Sequence, residues 1–362
     1  MGAVVLAPDG FKGSITAAAA CAALAQGWRD VDPAARIVAR PMADGGEGTL
    51  DAFATAVDGA RRIPVTVTGP DGRDVAAQWL LLPDGTGVVE LASTSGIELL
   101  GQQRLPFTAH TLGFGQAIVA ALDHGVARLV LGIGSSASTD GGAGMLRALG
   151  ARFAGADGLR GVAEATSIDV SGMRTPPPGG VVVLSDVTNP LCGPSGAAAV
   201  FGPQKGLTSG DVRAADATLG RWAAAVTAVL PAADPDAAGA GAAGGTGFAL
   251  QAWGARLASG SAEVAALVGL AQAVAEASVV VTGEGSFDRQ SARGKVPSQV
   301  VALTAAADVP AALVAGRIAP DADTTAFAAS VSLTELAGGS EAALSDPVRW
   351  LQTAGRALAA RF

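Results

Sequence analysis

The chain has 362 residues, 49% of them hydrophobic and 15% charged, with a formal net charge of -8. That length exceeds what one compact core usually holds, so a globular protein of two domains is expected. The acidic balance argues against nucleic acid as a partner, and no run reaches the roughly 18 apolar residues of a membrane span, so a soluble, cytoplasmic protein is expected.

Short β-branched runs recur along the chain, each closing on a polar or glycine-rich loop followed by an alanine-rich stretch. The first, Val4-Val5-Leu6, leads into a loop carrying Asp9, Lys12 and Ser14 ahead of a helix over 17–24. The second, 36–39, leads into Pro41 to Thr49, where glycines lie beside Asp44 and Glu47. Simple helix capping by Ser14 or Asp44 is the plainer reading of these two loops. Residues 63–68, 78–82 and 87–91 then alternate around Gly-Pro-Asp-Gly and Pro-Asp-Gly turns, which reads as antiparallel hairpins in a second domain. An apolar-periodic helix over 116–123 is closed by Gly125.

The strand 129–133 runs into Gly132 to Gly144, a series of small residues whose backbone N–H groups could cradle an anion before a short helix ending at Gly150. The same stretch contains Gly132-x-Gly134-x-x-Ala137, a loose dinucleotide fingerprint, with Asp157 near the position of a ribose-binding acid. The strand 181–184 is followed by Asp186 and Asn189, oxygen donors suited to Mg²⁺, and then by Lys205. Residues 232–247, rich in Ala, Gly and Pro, read as a mobile loop or lid hinge, with a phosphate nest as the alternative. The strand 277–281 stops at a loop, 282–295, that brings Glu284, Asp288, Arg289 and Lys295 to one sheet edge. Runs at 312–314 and 331–333 complete the series. Alternation of such strands with helical stretches predicts an α/β fold around largely parallel sheets.

Two cysteines and two histidines are too few for a disulfide framework or a His-rich metal site, so acid–base chemistry falls to Asp or Glu. Carboxylates beside lysines at strand ends suit an anionic, Mg²⁺-bound substrate such as a nucleotide. Neither a Walker-type phosphate loop nor the protein-kinase signature set is present.

Seven ordered motifs carry a resemblance: APDGFKGS at 7–14, PMADGGEGT at 41–49, TSGIELL at 94–100, GIGSSASTDGGAGM at 132–145, DVTNPLCGPSGA at 186–197, FGPQKG at 201–206 and TGEGSFDRQSARGK at 282–295. Together they resemble the bacterial glycerate kinase family of the two-domain α/β type. The resemblance implies a Rossmann-like parallel-sheet domain built from both chain ends, residues 1–66 plus 285–362, with an inserted α/β domain, 67–284, containing the hairpins. It implies phosphorylation of D-glycerate by ATP with Mg²⁺, commonly at the 2-hydroxyl. The 3-hydroxyl or another small hydroxy acid is the alternative, and an acid-binding sensor or an NAD-dependent oxidoreductase a more distant one. The small molecules D-glycerate and ATP would be the partners, and assembly into a homo-oligomer is left open.

On this reading Asp44 is first choice for accepting the hydroxyl proton and Asp140 second, with Lys12 aiding catalysis. Asp9, Lys12, Asp44 and Arg289 would hold the substrate. Gly134, Ser135, Ser136, Gly141, Gly142, Lys205 and Lys295 would hold nucleotide phosphates, and Asp186, Glu284 and Asp288 form the pool of Mg²⁺ ligands. Four positions depart from the family pattern: Gly10, where Ser is usual, Ser135, where Gly is usual, Ser138, where Thr is usual, and Thr139, where Asn is usual. A Cβ at Ser135 would crowd a phosphate if φ there must be positive.

Overall fold

The computed structural model describes residues 2–11, 13–289, 291 and 295–362. It divides into two compact units, one of Met1–Asp44, Asp51–Asp58 and Ser259–Phe362, the other of Gly45–Leu50 and Gly59–Ala258. Among the described residues the strands run in chain order as β1 (Ala3–Pro8), β2 (Ile37–Ala39), β3 (Arg61–Thr68), β4 (Asp74–Leu81), β5 (Thr86–Glu90), β6 (Arg128–Gly132), β7 (Val181–Leu184), β8 (Arg256–Ala258), β9 (Ala277–Phe287), β10 (Ala311–Ile318) and β11 (Ala329–Ser332).

The first unit contains a five-stranded sheet in the order β11-β10-β9-β1-β2, with every pair parallel. All six residues of β1 are buried, as an apolar strand covered on both faces requires. The N-terminal helix Ala17–Arg29 is capped by Thr16, whose hydroxyl accepts from the Ala19 N–H at 3.2 Å, so its cap is not Ser14. Its apolar side, including Cys21, Leu24 and Trp28, shares a core with Leu351, Ala354 and Leu358 of the C-terminal helix Pro347–Ala359. The two chain ends therefore close one body, and Arg356 adds a hydrogen bond to Asp30 at 2.9 Å across the same helix pair.

The second unit holds a six-stranded sheet in the order β3-β4-β5-β6-β7-β8. β3, β4 and β5 are antiparallel neighbours and β5 through β8 are parallel, so the hairpin region extends an otherwise parallel sheet. Trp79, Phe114, Trp222 and Phe248 are the large side chains of its core. The expected limits at 66/67 and 284/285 fall inside β3 and β9. β3 pairs with β4 along its whole length and β9 lies between β1 and β10, so neither can be divided, and the crossings that bound the long insert come at 58/59 and 258/259, with a short excursion over Gly45–Leu50 before them. β9 also continues six residues beyond Val281, carrying Thr282 to Phe287 in register with β10.

Of residues 232–247, the stretch 232–241 is turns and irregular chain, and 242–247 open a buried helix. The helix Ala242–Ala252 opens with Ala243, Gly244 and Gly245 in left-handed conformation, and eight of its residues from Gly244 to Ala252 are buried. A Cβ on Gly244 would lie 2.1 Å from the Ser138 carbonyl oxygen, so glycine is what admits this backbone against the loop after β6. Among the described residues no helix is long and apolar enough to cross a membrane.

Candidate active site

The carboxyl ends of β1, β9 and β10 open onto a cleft of about 480 Å³ within the first unit. Ligands of parallel α/β sheets bind at this edge. Asp9, Asp44, Glu284, Asp288 and Lys295 line one part of the cleft, so five of the expected site residues converge on one concavity.

Each is placed by its own element. Asp9 follows β1 directly, its N–H bound to the Gly283 carbonyl at 2.8 Å, and its carboxylate accepts from the Gly10 N–H at 2.7 Å. Asp44 follows β2, and Gly260, the first residue of the helix Gly260–Leu267, packs so closely beside it that a Cβ on Gly260 would lie 2.1 Å from the Asp44 carbonyl oxygen. Glu284 sits on β9 opposite Ala315 and is 7% exposed. Its Oε2 lies 3.9 Å from Nζ of Lys295, which precedes the helix Val296–Ala306. Asp288 accepts from the Ser291 N–H at 3.2 Å, a local turn that fixes the carboxylate after the strand ends. Glu284, expected in a loop after the strand, instead lies on β9 itself.

The other expected residues lie elsewhere. Arg289 is exposed and pairs with Asp321 at 3.1 Å. Asp186, exposed at the end of β7, belongs to the second unit, as do the 132–144 loop and Lys205. Lys12 falls outside the described residues. No three Asp, Glu, His or Cys side chains among the described residues form a metal-binding group.

The 132–144 loop is an interior structure for most of its length. Gly134 N–H donates to Gly45 O at 2.9 Å and Gly141 N–H to Gly244 O at 3.0 Å. Gly142 and Gly144 N–H donate to the Asp140 carboxylate at 3.1 and 3.2 Å. Those donors are committed within the protein, and Gly141 and Gly142 are buried against Trp222 and Ala249, so they do not form the expected open cradle. Ser136 is also buried, its hydroxyl accepting from Ser138 N–H at 3.2 Å. Ser135 is the exposed residue, and its φ is 59°, the left-handed region where glycine is easiest.

Asp140, fully buried, further accepts from Thr111 N–H at 2.9 Å, Thr111 Oγ1 at 2.8 Å and Ser138 Oγ at 3.1 Å. A carboxylate accepting five hydrogen bonds organises the loop and has no lone pair left for a substrate proton. Lys205 is buried beside it, its Nζ donating to the Ser138 carbonyl at 2.5 Å. Burial pushes this ammonium down to about 8, an effect that Asp140 partly opposes. Lys205 thus braces the loop from within instead of projecting towards solvent.

A family model described as the glycerate kinase family matches residues 4–362. The chain belongs to the glycerate kinase family. It is 39% identical over 328 residues to a glycerate 2-kinase of Escherichia coli, covering 88% of this chain and 86% of that protein. It is 40% identical over 330 residues to a glycerate kinase of Bacillus subtilis, with the same coverage. The fold matches a crystal structure from Salmonella typhimurium LT2 described as a glycerate kinase 2, with a TM-score of 0.84, 37% identity, and 99% and 98% of the two chains covered.

Proposed function

We propose that this protein transfers a phosphoryl group from ATP to the 2-hydroxyl of D-glycerate, with Mg²⁺, giving 2-phosphoglycerate and ADP. The observation that carries the reading is the convergence of Asp9, Asp44, Glu284, Asp288 and Lys295 on one cleft in a member of this family. Phosphoryl transfer asks a protein for positioning and charge neutralisation, and a cleft of acids with an adjoining lysine supplies both. The 2-hydroxyl is favoured because the Escherichia coli relative is a 2-kinase by name.

Glu284 and Asp288 are the residues that would hold Mg²⁺, which needs only one or two carboxylates when phosphate oxygens and water complete its shell. The ion would neutralise charge on the phosphates. Lys295 adds a cation beside Glu284, and the N-terminus of the 11-residue helix that follows it favours anions. Asp44 accepts the proton of the attacking hydroxyl, and Asp9 orients the substrate beside it. Asp140 and Lys205 are positioning residues of the second unit.

Incubation of the purified protein with D-glycerate, ATP and Mg²⁺ tests the reading. Glycerate-dependent ADP release, with a product that enolase consumes without a mutase, is expected. A product untouched by enolase would mean transfer to the 3-hydroxyl, and no glycerate-dependent ADP would overturn the reading.

A further inference from the structure

The same cleft changes character across the sheet. Its acids and Lys295 come from the ends of β1, β2 and β9 and the start of the helix after β9. Beyond β10, whose Gly316 and Arg317 border the cleft, the wall is mostly apolar, built by Leu333, Ala343, Leu344 and Pro347 with the hydroxyl residues Thr334 and Ser340. These belong to the three C-terminal helices Leu333–Ala337, Ser340–Ser345 and Pro347–Ala359. The helices Leu333–Ala337 and Ser340–Ser345 pack against β10, which puts this wall on the β10 side of the cleft.

An apolar wall has nothing to offer a three-carbon hydroxy acid or a triphosphate. A volume of about 480 Å³ is likewise in the range of pockets for larger ligands, roughly 300–1,000 Å³. A planar heteroaromatic base joined to phosphates has the matching polarity: apolar at one end, anionic at the other. We infer that the adenine base of the nucleotide rests on the shelf formed by Leu333, Ala343, Leu344 and Pro347, with its phosphates directed towards Lys295 and Glu284. This assignment rests on the ATP-dependent reading above and adds to it which unit receives the nucleotide and by which surface. Arg317 stands between the two ends, its Nη2 3.5 Å from Ser286 Oγ, where a guanidinium can lie against a base or reach a phosphate.

The shelf is held by Trp350, whose Nε1 donates to the Ala342 carbonyl at 3.0 Å. Trp350 is therefore a reporter located directly behind it.

Leu344 lines the cleft yet is 61% exposed, so Leu344→Asp can remove the apolar surface while sparing the core, which circular dichroism verifies. Calorimetric titration of the intact protein and this variant with ATP, and separately with inorganic tripolyphosphate, tests the assignment. The unaltered protein should bind ATP at least about tenfold more tightly than tripolyphosphate, and Leu344→Asp should weaken ATP about tenfold, ~1.4 kcal/mol, while leaving tripolyphosphate unchanged. ATP alone should quench the tryptophan emission that is lost on Trp350→Phe. Tight ATP binding that ignores Leu344→Asp, or equal loss of both ligands, would overturn the base assignment while leaving the kinase reading intact. A protein that binds no ATP at all would overturn both.

Discussion

Lys205 and Asp140 form a buried pair of opposite charges in the second unit, and they meet through Ser138, which receives the lysine at its carbonyl and donates to the carboxylate from its hydroxyl. The folded value of the lysine, about 8, lies below its ordinary 10.5. Between the two, the unfolded chain holds a proton that the folded chain has released, so raising the pH favours the folded state. Relative to Lys205→Met, which lacks this proton, the native protein should gain about 2 kcal/mol of unfolding free energy between about pH 7 and pH 9.5. Urea denaturation at the two pH values measures this, and identical pH responses of the two proteins would refute it.

Asp140→Asn separates a positioning role from a proton-accepting one. All five groups that face the carboxylate are donors, so an amide NH₂ would oppose at least one of them inside a fully buried site. A loss of about 3 kcal/mol or more in stability is expected, seen as a lowered urea midpoint. Full stability with abolished turnover would return Asp140 to the list of bases.

Asp44→Asn should lower kcat by about a hundredfold or more, ~2.7 kcal/mol of barrier, with little change in stability, because Asp44 is half-buried at the cleft. A loss below about tenfold would withdraw the base assignment. Gly260→Ala should reduce kcat as well by displacing Asp44, since the added methyl has no room beside its carbonyl.

Thr139 is 1% exposed, and its Oγ1 has no hydrogen-bond partner among the described residues. Thr139→Val keeps the shape and removes that desolvated hydroxyl, so stability should rise by about 1 kcal/mol with the glycerate KM unchanged. A several-fold rise in KM would show instead that the hydroxyl contacts substrate.

Ser135→Gly relieves a left-handed φ at an exposed position while giving the unfolded chain more freedom. The strain relief, about 1–2 kcal/mol, outweighs the entropy, so thermal unfolding should shift upward slightly. A lower Tm would mean that Ser135 makes a compensating contact.

The α/β fold was legible because its strands are apolar runs bounded by polar loops: 4–6, 129–133, 181–184, 279–281 and 312–314 all lie on strands or run off their ends. The hairpins were legible from their turn residues. β8 was not, since a three-residue edge strand beginning with Arg256 carries no period. At the site, Asp9, Asp44, Glu284, Asp288 and Lys295 could be picked out because each ends or follows a strand. The glycine-rich stretches at 132–144 and 242–247 misled, because small residues permit close packing of the protein's own backbone as readily as the approach of a phosphate. What distinguishes the two is the partner, here Ser138 against Gly244 and Trp222 against Gly141, and those contacts join residues about a hundred positions apart.

β9 lies at the centre of the first sheet, although it is encoded in the last quarter of the chain. During synthesis, β1 and β2 leave the ribosome more than two hundred residues before the strand that completes their pairing, while residues 59–258 already contain every strand of the second sheet. The inserted unit is thus able to fold while the N-terminal segment still waits, its apolar β1 lacking one neighbour. A truncation before residue 277 would remove the middle of that sheet and leave an open, aggregation-prone edge, so the C-terminal quarter is a condition for the N-terminal strands to fold at all.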